Sequence, residues 1–484
     1  MMTRNALIPS VALLAACAGS HHRSLPEPVG PCESLFASLD EAVESASVRW
    51  SRAAPIDGFP YLRSSRFLAS YRTEDLGSAQ WDAWVAALRA LDRRGRAIEL
   101  ERIEASARQR LGLDNLATAG VLLDECAETL AERDLAKETR RKALRAAAQV
   151  DDDYVMGRRI LGLYPLTAIP VAEGIRRLHN DVKAVYARPL DALPLRGELM
   201  RFGPIAVAVD TAPAPSDYGD GLGVPRPTGE ALAALYAAHA PVWEIDVSGA
   251  FDRPGRPRWD PRGYPSVDVS DPVVYQFESW TRWRGEALLQ LNYLVWFAER
   301  PSEGRYDLLA GPLDGVIWRV TLDAEGRPLV YDAVHACGCY HLFFPANRVR
   351  LRRMPETLPE PPLAPQTAPS LHPGRRLAVR LSSRQHYVQR VTLVSEDAWA
   401  PYRLDHYDAL YTLPWTDGAR RGPFDSDGLI AGSDRPERYL LWPMGILSPG
   451  AMRGWGRHPI AFVGRRHLDD PDLVERFFEP VTPP

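Results

Sequence analysis

The sequence predicts an α+β fold, with a helical N-terminal domain, a mixed α/β domain and a smaller β-rich C-terminal part. Apolar residues recur at three- and four-residue intervals over residues 32–199, a spacing typical of amphipathic helices. Beyond residue 200, short apolar segments lie between turn residues, which is typical of strands. Seven prolines fall within the nineteen residues 355–373 and predict a linker.

These patterns divide the 484 residues into six parts. A chain of this length has room for several domains, at roughly 150 residues each. The six parts are a signal peptide at 1–16, a lipid anchor and tether at 17–31, a helical domain at 32–199, a mixed α/β domain at 200–354, a Pro-rich linker at 355–373 and a β-rich C-terminal part at 374–484.

The helical domain contains a clear helical repeat, formed by Trp81, Trp84, Val85, Leu88 and Leu91. We predict that this helix has Ser78 as its N-cap and ends at Gly95, because glycine commonly follows the last helical residue. Two further helices are predicted over residues 98–111 and 116–148.

Strands are predicted in the two later parts of the chain, where β-branched and aromatic residues are frequent. The predicted strands span residues 204–209, 242–247, 316–322, 328–331, 377–381 and 387–393. The third and fourth of these flank a turn at residues 323–326 and predict a hairpin, which leads directly to His335.

Residues 284–297 are nearly all apolar and predict a buried helix. On such a helix Glu286, Gln290 and Tyr293 would share one stripe, since they are four and three residues apart. A carboxylate buried there needs a partner, which would be a metal ion, a nearby arginine or the helix N-terminus. Glu286 is therefore a candidate catalytic residue, as a general base or as a group that orients a metal ligand.

Charge and composition exclude several classes of function. The chain has 58 Lys+Arg and 62 Asp+Glu, a formal net charge of −4 and 45% apolar residues, as in ordinary globular proteins. None of its three lysines follows a glycine, which excludes a GxxxxGK phosphate loop. The arginines are spread among acidic residues, so we expect no nucleic-acid partner. We also expect no nucleotide cofactor, because the glycines at 219–223 do not match the dinucleotide-binding fingerprint.

The N-terminus has an apolar segment at residues 6–16 that runs into Cys17, and the sequence at 14–17 is Leu-Ala-Ala-Cys. It resembles the lipobox of bacterial lipoprotein precursors, over these first residues only. The resemblance implies that residues 1–16 are removed and that a lipid on Cys17 holds the protein at a membrane. No aspartate follows Cys17, which implies the outer membrane and its periplasmic side. The alternatives are an ordinary signal peptide and a buried N-terminal strand.

Four further cysteines remain, an even number that suggests disulfides in an exported protein. Cys32 and Cys126 each lie among apolar residues at helical spacing, so both are predicted to face a helix interior. A Cys32–Cys126 bridge would stabilise the fold by about 4–5 kcal/mol in the chain-entropy model, because the loop it closes is long. The alternative is two buried free thiols.

His335, Cys337, Cys339 and His341 form the densest group of reactive side chains in the sequence. A spacing of two would place all four on one face of an extended strand, and imidazoles with thiols are typical ligands of zinc or copper. Both sulfurs reach one ion only if the chain bends, which Gly338 permits. The alternatives are a Cys337–Cys339 disulfide, structural or redox-active, and free structural thiols.

Three classes of function follow from these features. The first is an outer-membrane-anchored periplasmic lipoprotein that binds a transition metal at residues 335–341, and that is a metal-dependent hydrolase if it is an enzyme. The second is a non-enzymatic envelope lipoprotein that binds an envelope protein partner and holds the two cysteines of that segment as a disulfide. The third is thiol–disulfide redox chemistry at the same cysteines. In the C-terminal part, His458 or His467 with Asp469 would complete a site or transfer protons.

Overall fold

The computed structural model describes residues 30–205, 212–355, 357–395 and 399–481. The predicted signal peptide, the lipidation site Cys17 and most of the tether lie outside these ranges, as do residues 206–209 of a predicted strand. Within these ranges, no helix combines the length and hydropathy needed to cross a membrane.

Most helices of the described chain lie before residue 190, in the part with helical periodicity. Their bounds are α1 Pro31–Ser45, α2 Arg66–Ala69, α3 Ser78–Arg102, α4 Ala105–Arg110, α5 Leu116–Leu135, α6 Glu138–Ala147, α7 Met156–Leu161, α8 Tyr164–Tyr186, α9 Gly229–His239, α10 Arg438–Leu441 and α11 Leu473–Phe477. Helix α3 begins at Ser78 itself, with Gly77 as its N-cap, and buries Trp81, Trp84 and Leu88 as predicted.

Strands follow mainly after residue 197, so the α+β prediction is confirmed. Their bounds are β1 Ala54–Ile56, β2 Phe59–Ser64, β3 Glu198–Pro204, β4 Val242–Val247, β5 Arg256–Trp259, β6 Pro265–Asp268, β7 Val273–Trp283, β8 Glu286–Arg300, β9 Gly311–Leu322, β10 Pro328–His335, β11 Leu342–Pro345, β12 Val349–Leu351, β13 Arg375–Leu381, β14 Val388–Ser395, β15 Ala400–His406, β16 Leu413–Pro414, β17 Arg420–Arg421 and β18 Phe478–Pro480. The predicted strands at 242–247 and 377–381 and the hairpin of β9 and β10 are confirmed.

One large sheet organises the molecule. Its ten strands lie in the order β11-β10-β9-β8-β7-β15-β3-β4-β13-β14. The pairs are antiparallel except that β15 is parallel to β7 and β3, and β13 is parallel to β4. Strands from before and after the Pro-rich segment at 355–373 therefore pair within a single sheet.

The predicted helix over residues 284–297 is wrong, because these residues form most of strand β8. Arg284 and Gly285 both have positive φ, 52° and 85°, and make the two-residue turn between β7 and β8. Both faces of β8 are buried along most of its length, so apolar residues occupy consecutive positions. Such a run cannot be distinguished from a buried helix by periodicity alone.

The predicted end of helix α3 at Gly95 is also wrong, because the helix continues to Arg102. A Cβ atom at residue 95 would lie 2.5 Å from Nη1 of Arg63, whose guanidinium packs against the helix at this point. The glycine therefore makes room for a close contact instead of ending the helix. The predicted helix over 116–148 is divided into α5 and α6, and residues 98–111 are divided between α3 and α4.

Apolar residues on both faces of the sheet form two separate clusters. On β8, Leu294 and Trp296 belong to one cluster, whereas Tyr293 and Val295 belong to the other, as the alternation of side chains in a strand requires. A third cluster lies among α1, α3 and α5 in the helical part. Both faces of the sheet are thus covered, which is why its central strands carry few exposed side chains.

The helical part is held together by a disulfide and a buried ion network. The predicted Cys32–Cys126 disulfide is confirmed, and it joins α1 to α5. Beside it in the helical part, the Arg63 guanidinium donates two hydrogen bonds of 2.7 and 2.8 Å to the Glu99 carboxylate and one of 3.0 Å to Asp92. Such two-pronged pairs are among the strongest polar contacts in proteins.

Candidate functional site

The chain turns tightly between β10 and β11, and we name residues 335–340 the thiol turn. The Gly338 N–H donates to the His335 carbonyl oxygen at 2.8 Å, and the His335 N–H donates to the Cys339 carbonyl oxygen at 3.0 Å. Gly338 has a φ of +89°, and a Cβ atom there would lie 2.4 Å from the Pro459 carbonyl oxygen. Glycine alone satisfies both conditions, so the bend that Gly338 permits is present.

Backbone contacts from two directions fix the thiol turn in place. The Ala336 N–H donates to the Gly315 carbonyl oxygen of β9 at 2.8 Å, and the Arg453 N–H donates to the Ala336 carbonyl oxygen at 2.9 Å. The Arg453 side chain also donates from Nε to the Cys337 carbonyl oxygen at 3.2 Å. The turn is therefore a rigid platform for the side chains that it carries.

The turn brings Cys337 and Cys339 together as free thiols. The Cys339 N–H donates to Cys337 Sγ at 3.4 Å. Hydrogen bonding to the Cys339 thiol lowers the pKa of Cys337 despite its burial, and the charge of His335 lowers it further. The same thiol–thiol hydrogen bond, with burial, raises the pKa of Cys339 well above its ordinary range. The two sulfurs therefore differ, with Cys337 the thiolate of the pair and Cys339 the thiol.

A carboxyl group lies within electrostatic reach of both thiols. Burial raises the pKa of Glu437 to about 7, although the charges of Arg300 and Arg435 act in the opposite direction. The charge of Glu437 in turn acts on both cysteines of the thiol turn. A carboxyl group that titrates near neutral pH can exchange protons with its surroundings, which is typical of groups in reactive sites.

A buried row of alternating imidazoles and carboxylates begins at the thiol turn, and we name it the His–Asp chain. Nδ1 of His335 lies 3.3 Å from Oδ1 of Asp314, and the other oxygen of Asp314 lies 2.8 Å from Nδ1 of His386. Nε2 of His386 lies 3.3 Å from Oδ1 of Asp252. At the far end Asp252 accepts a hydrogen bond of 2.9 Å from the Ser383 hydroxyl.

Charges stabilise one another along the His–Asp chain. Burial opposes the ionisation of Asp314, but the charges and hydrogen bonds of His335 and His386 outweigh it and hold the pKa of Asp314 well below its ordinary range. Burial likewise disfavours a charged His386, but its hydrogen bonds to Asp252 and Asp314 raise its pKa. The chain thus holds the His335 ring by Nδ1, and its buried Nε2 has no hydrogen-bond partner in the described structure.

His341, the last residue of the predicted metal-binding segment, belongs to a different polar group. Its Nε2 lies 2.8 Å from Oδ2 of Asp332, which also accepts two hydrogen bonds of 2.9 Å from Arg319. Burial lowers the pKa of His341, although the Asp332 carboxylate acts against this. The turn at Gly338 ends the extended backbone, so the two histidines contact different carboxylates.

The structure therefore brings together only part of the predicted metal-binding segment. Cys337 and Cys339 adjoin each other in the thiol turn, whereas His335 faces Asp314 and His341 does not. In the described part of the chain, no group of three or more His, Cys, Asp or Glu side chains is placed to hold a metal ion. The zinc or copper centre at these four residues stays a prediction.

Glu286 occupies a different setting from the one expected for a catalytic residue. It is exposed at the first position of β8, where it pairs with Trp283 of β7. Gln290 is buried and bonds Ser279 and Thr321. Tyr293 lies three residues further along the strand and so faces the other side of the sheet. The premise for a catalytic Glu286, a buried carboxylate on a helix, is wrong because the segment is a strand.

The C-terminal histidines are both buried. Burial lowers the pKa of His458 to about 3, which keeps its ring neutral. His467 lies 3.4 Å from Asp152 and 3.5 Å from Asp470, and its hydrogen bonds to these two residues raise its pKa despite burial. His467 therefore ties the C-terminal part to the helical part through carboxylates other than the predicted Asp469.

Sequence reasoning missed the three further members of the His–Asp chain, Asp252, Asp314 and His386. They come from separate segments, so no spacing connects them. The one available signal was a histidine in the short polar segment between two predicted strands, now β13 and β14. Comparison with protein-family models, curated proteins and solved structures finds no match to this chain. Its chemistry is therefore argued from the thiol turn and the His–Asp chain themselves.

Proposed function

We propose that this chain is an outer-membrane-anchored periplasmic lipoprotein that carries out thiol–disulfide exchange at Cys337 and Cys339. The anchor is inferred from the resemblance of the N-terminus to lipoprotein precursors. It would hold the thiol turn in a compartment where disulfides form and persist. The observation that supports the thiol chemistry is the hydrogen bond from the Cys339 N–H to Cys337 Sγ, because it favours a thiolate beside a second thiol.

The two sulfurs have complementary roles in the proposed reaction. In the disulfide form, a thiolate of a partner dithiol attacks Cys339 Sγ, since Cys339 is half-buried whereas Cys337 is only 7% exposed. The bond between the two cysteines breaks, and Cys337 leaves as the thiolate that its lowered pKa favours. The second thiol of the partner then displaces Cys339, which takes up a proton. The partner loses two electrons, and the cysteine pair gains them.

Redox titration of the full chain tests this proposal. The protein is equilibrated with mixtures of reduced and oxidised glutathione, alkylated, and mapped by peptide mass spectrometry. We expect the Cys337–Cys339 pair to exchange with glutathione at a potential above about −300 mV, the value below which structural disulfides typically lie. The Cys32–Cys126 disulfide serves as an internal control that stays oxidised. Equal resistance of both pairs to glutathione contradicts the proposal.

A charge substitution tests the assignment of Cys337 as the thiolate. The charge of His335 helps to lower the pKa of Cys337, so His335→Gln is expected to raise it. The measurement is the pH midpoint of thiolate absorbance in the Cys339→Ser background. Glu132→Gln, on an exposed site of α5, is the matched control and should leave the midpoint unchanged. An unchanged midpoint in His335→Gln would remove the assignment.

Transition-metal binding is a second candidate, favoured by one specific observation. Nε2 of His335 is buried and lacks a hydrogen-bond partner among the described residues, whereas Nδ1 faces Asp314. Histidine ligands commonly hold a carboxylate on the nitrogen that does not bind the metal. Elemental analysis of the full chain is expected to find about one zinc or copper per chain, lost in His335→Ala. A metal-free chain after reconstitution rejects this candidate.

The anchor is tested separately. Intact mass spectrometry of the protein extracted from membranes is expected to find residue 17 as the first residue, with a lipid adduct on Cys17. The Cys17→Ser chain should leave the membrane fraction. An unmodified Cys17 rejects the lipoprotein part of the proposal and leaves the redox titration to decide the thiol part.

A further inference from the structure

A cavity of about 250 Å³ lies between the helical part and the large sheet. Helices α2 and α3 form one wall, strand β7 forms another, and the C-terminal residues Trp455 and Asp469 complete it. Small-molecule pockets usually measure roughly 300–1,000 Å³, so this cavity suits a small ligand. Neither the thiol turn nor the His–Asp chain contributes to its lining.

Two carboxylates in the lining have unused hydrogen-bonding capacity. Glu278 is 18% exposed, and its ion pair is with Nη1 of Arg94 at 3.3 Å. Asp469 is 13% exposed and lies 3.4 Å from Nη1 of Arg66, while its Oδ1 is buried and has no partner in the described structure. Both distances exceed the 2.7–2.9 Å typical of charge-assisted hydrogen bonds. These oxygens can therefore accept bonds from a ligand.

The Glu278 carboxylate is ionised at neutral pH. Burial opposes its ionisation, but the charges of Arg94 and Arg52 outweigh burial and lower its pKa. The charge thus faces a cavity in which water is partly excluded. A bound cation would meet an attractive potential there.

The arginines of the lining are bound to carboxylates outside it. Arg52 lies 2.7 Å from Asp408, to which Arg94 also donates, and Arg226 lies 2.6 Å from Asp220. Each guanidinium charge therefore already has a close partner. The groups in the lining with unmet capacity are acceptors, which favours a cationic ligand over an anionic one.

Aromatic rings form much of the remaining wall, namely Trp50, Phe67, Trp280 and Trp455. Their faces attract positive charge. The chain itself uses this property, because the Arg226 guanidinium lies 4.7 Å from the Trp280 ring and the Arg94 guanidinium lies 6.0 Å from the Trp50 ring. The Trp280 Nε1 donates to the Pro225 carbonyl oxygen at 2.7 Å, which fixes the orientation of that ring.

We propose that this cavity binds a small organic ammonium ion, held by the carboxylates of Glu278 and Asp469 and by the aromatic wall. The ammonium donates hydrogen bonds to the two carboxylates, and its alkyl groups contact the rings. This site is independent of the thiol turn. The ligand chemistry follows from the paired acceptors beside ring faces, which is the arrangement that recognises ammonium groups.

Calorimetric titration of the full chain in mild detergent tests the proposal with three probes of similar size. The probes are n-butylammonium, which is cationic, butan-1-ol, which is neutral, and butyrate, which is anionic. We expect saturable binding of n-butylammonium at least about tenfold tighter than that of the other two. Quenching of tryptophan fluorescence should accompany binding, because three tryptophans line the cavity. Tighter binding of butyrate, equal binding of butan-1-ol or no saturable binding of n-butylammonium overturns the proposal.

Two isosteric variants locate the binding site. Glu278→Gln and Asp469→Asn are each expected to weaken n-butylammonium binding at least about tenfold. Glu132→Gln is the matched control on the exposed face of α5 and should bind as the native chain does. Melting temperature and near-ultraviolet circular dichroism check the fold of each variant. If Glu278→Gln unfolds, Asp469→Asn decides, because its Oδ1 has no partner to lose. Native affinity in a folded Asp469→Asn chain overturns the proposal.

Discussion

Replacement of Asp314 by asparagine perturbs the centre of the His–Asp chain without changing its shape. The carboxylate is 2% exposed, and its two oxygens lie 2.8 Å from His386 and 3.3 Å from His335. The substitution removes the negative charge between two imidazoles. Asparagine retains one oxygen, which can still accept a hydrogen bond from His386.

The expected loss of stability follows from burial and charge. Removing one partner of a buried ion group costs about 3–5 kcal/mol, because the remaining charge is left uncompensated. Retention of one acceptor oxygen places Asp314→Asn near the lower end, at about 3 kcal/mol. Domains are typically stable by roughly 5–15 kcal/mol, so this loss is easily measured.

The effect is expected to depend on pH in a defined direction. The pKa of Asp314 is lowered by folding, so its contribution is present above about pH 3.9 and lost as the pH falls through the folded pKa. The pKa of His386 is raised, so its contribution is present below about pH 6.5 and lost as the pH rises through the folded pKa. The difference between the native chain and Asp314→Asn should therefore be largest between about pH 4 and 6.5.

Urea denaturation at several pH values, followed by near-ultraviolet circular dichroism, measures this difference. Glu173→Gln removes a carboxylate from an exposed ion pair on α8 and is the control, for which we expect no measurable change. A loss below about 1 kcal/mol for Asp314→Asn would refute the reasoning. A loss that does not diminish at low pH would show that shape, not charge, is responsible.

Three further substitutions test the fold by the same denaturation assay. Gly338→Ala is expected to cost clearly more than the 1–2 kcal/mol or so of Gly374→Ala, since both have positive φ but only the former meets a carbonyl oxygen at 2.4 Å; equal costs contradict this. Arg63→Met should cost about 3–5 kcal/mol, because it leaves two buried carboxylates unpaired, and a neutral result argues against that network. Replacing both Cys32 and Cys126 by serine should cost about 4–5 kcal/mol for a loop of 94 residues, and a value near zero argues against chain entropy as the cause.

The parts of the fold that depend on short-range pattern were predictable. The β9–β10 hairpin followed from two β-rich segments around a turn, and its register agrees with that prediction. The Cys32–Cys126 disulfide followed from two cysteines on apolar helix faces. The segment at 284–297 was not predictable, because a strand buried on both faces has no polar–apolar alternation.

The candidate site was predictable only in its linear part. The spacing of His335, Cys337, Cys339 and His341 marked a reactive segment, and Gly338 marked the position of a bend. Which side chains meet across that bend depends on the hydrogen bonds of the turn and on the contacts of Arg453, neither of which has a sequence pattern. The separation of the two histidines is decided by these contacts.

By itself, the sequence determined the α+β class, the helical N-terminal part and the location of the reactive thiols, since each depends on local periodicity, composition or spacing. The tertiary structure alone decided that Asp314 and His386 meet, that Cys337 and Cys339 differ in pKa, and that Glu278 and Asp469 share a cavity. The physical reason is that burial and charge act through space. They depend on strand order and side-chain packing between segments that are distant in the chain.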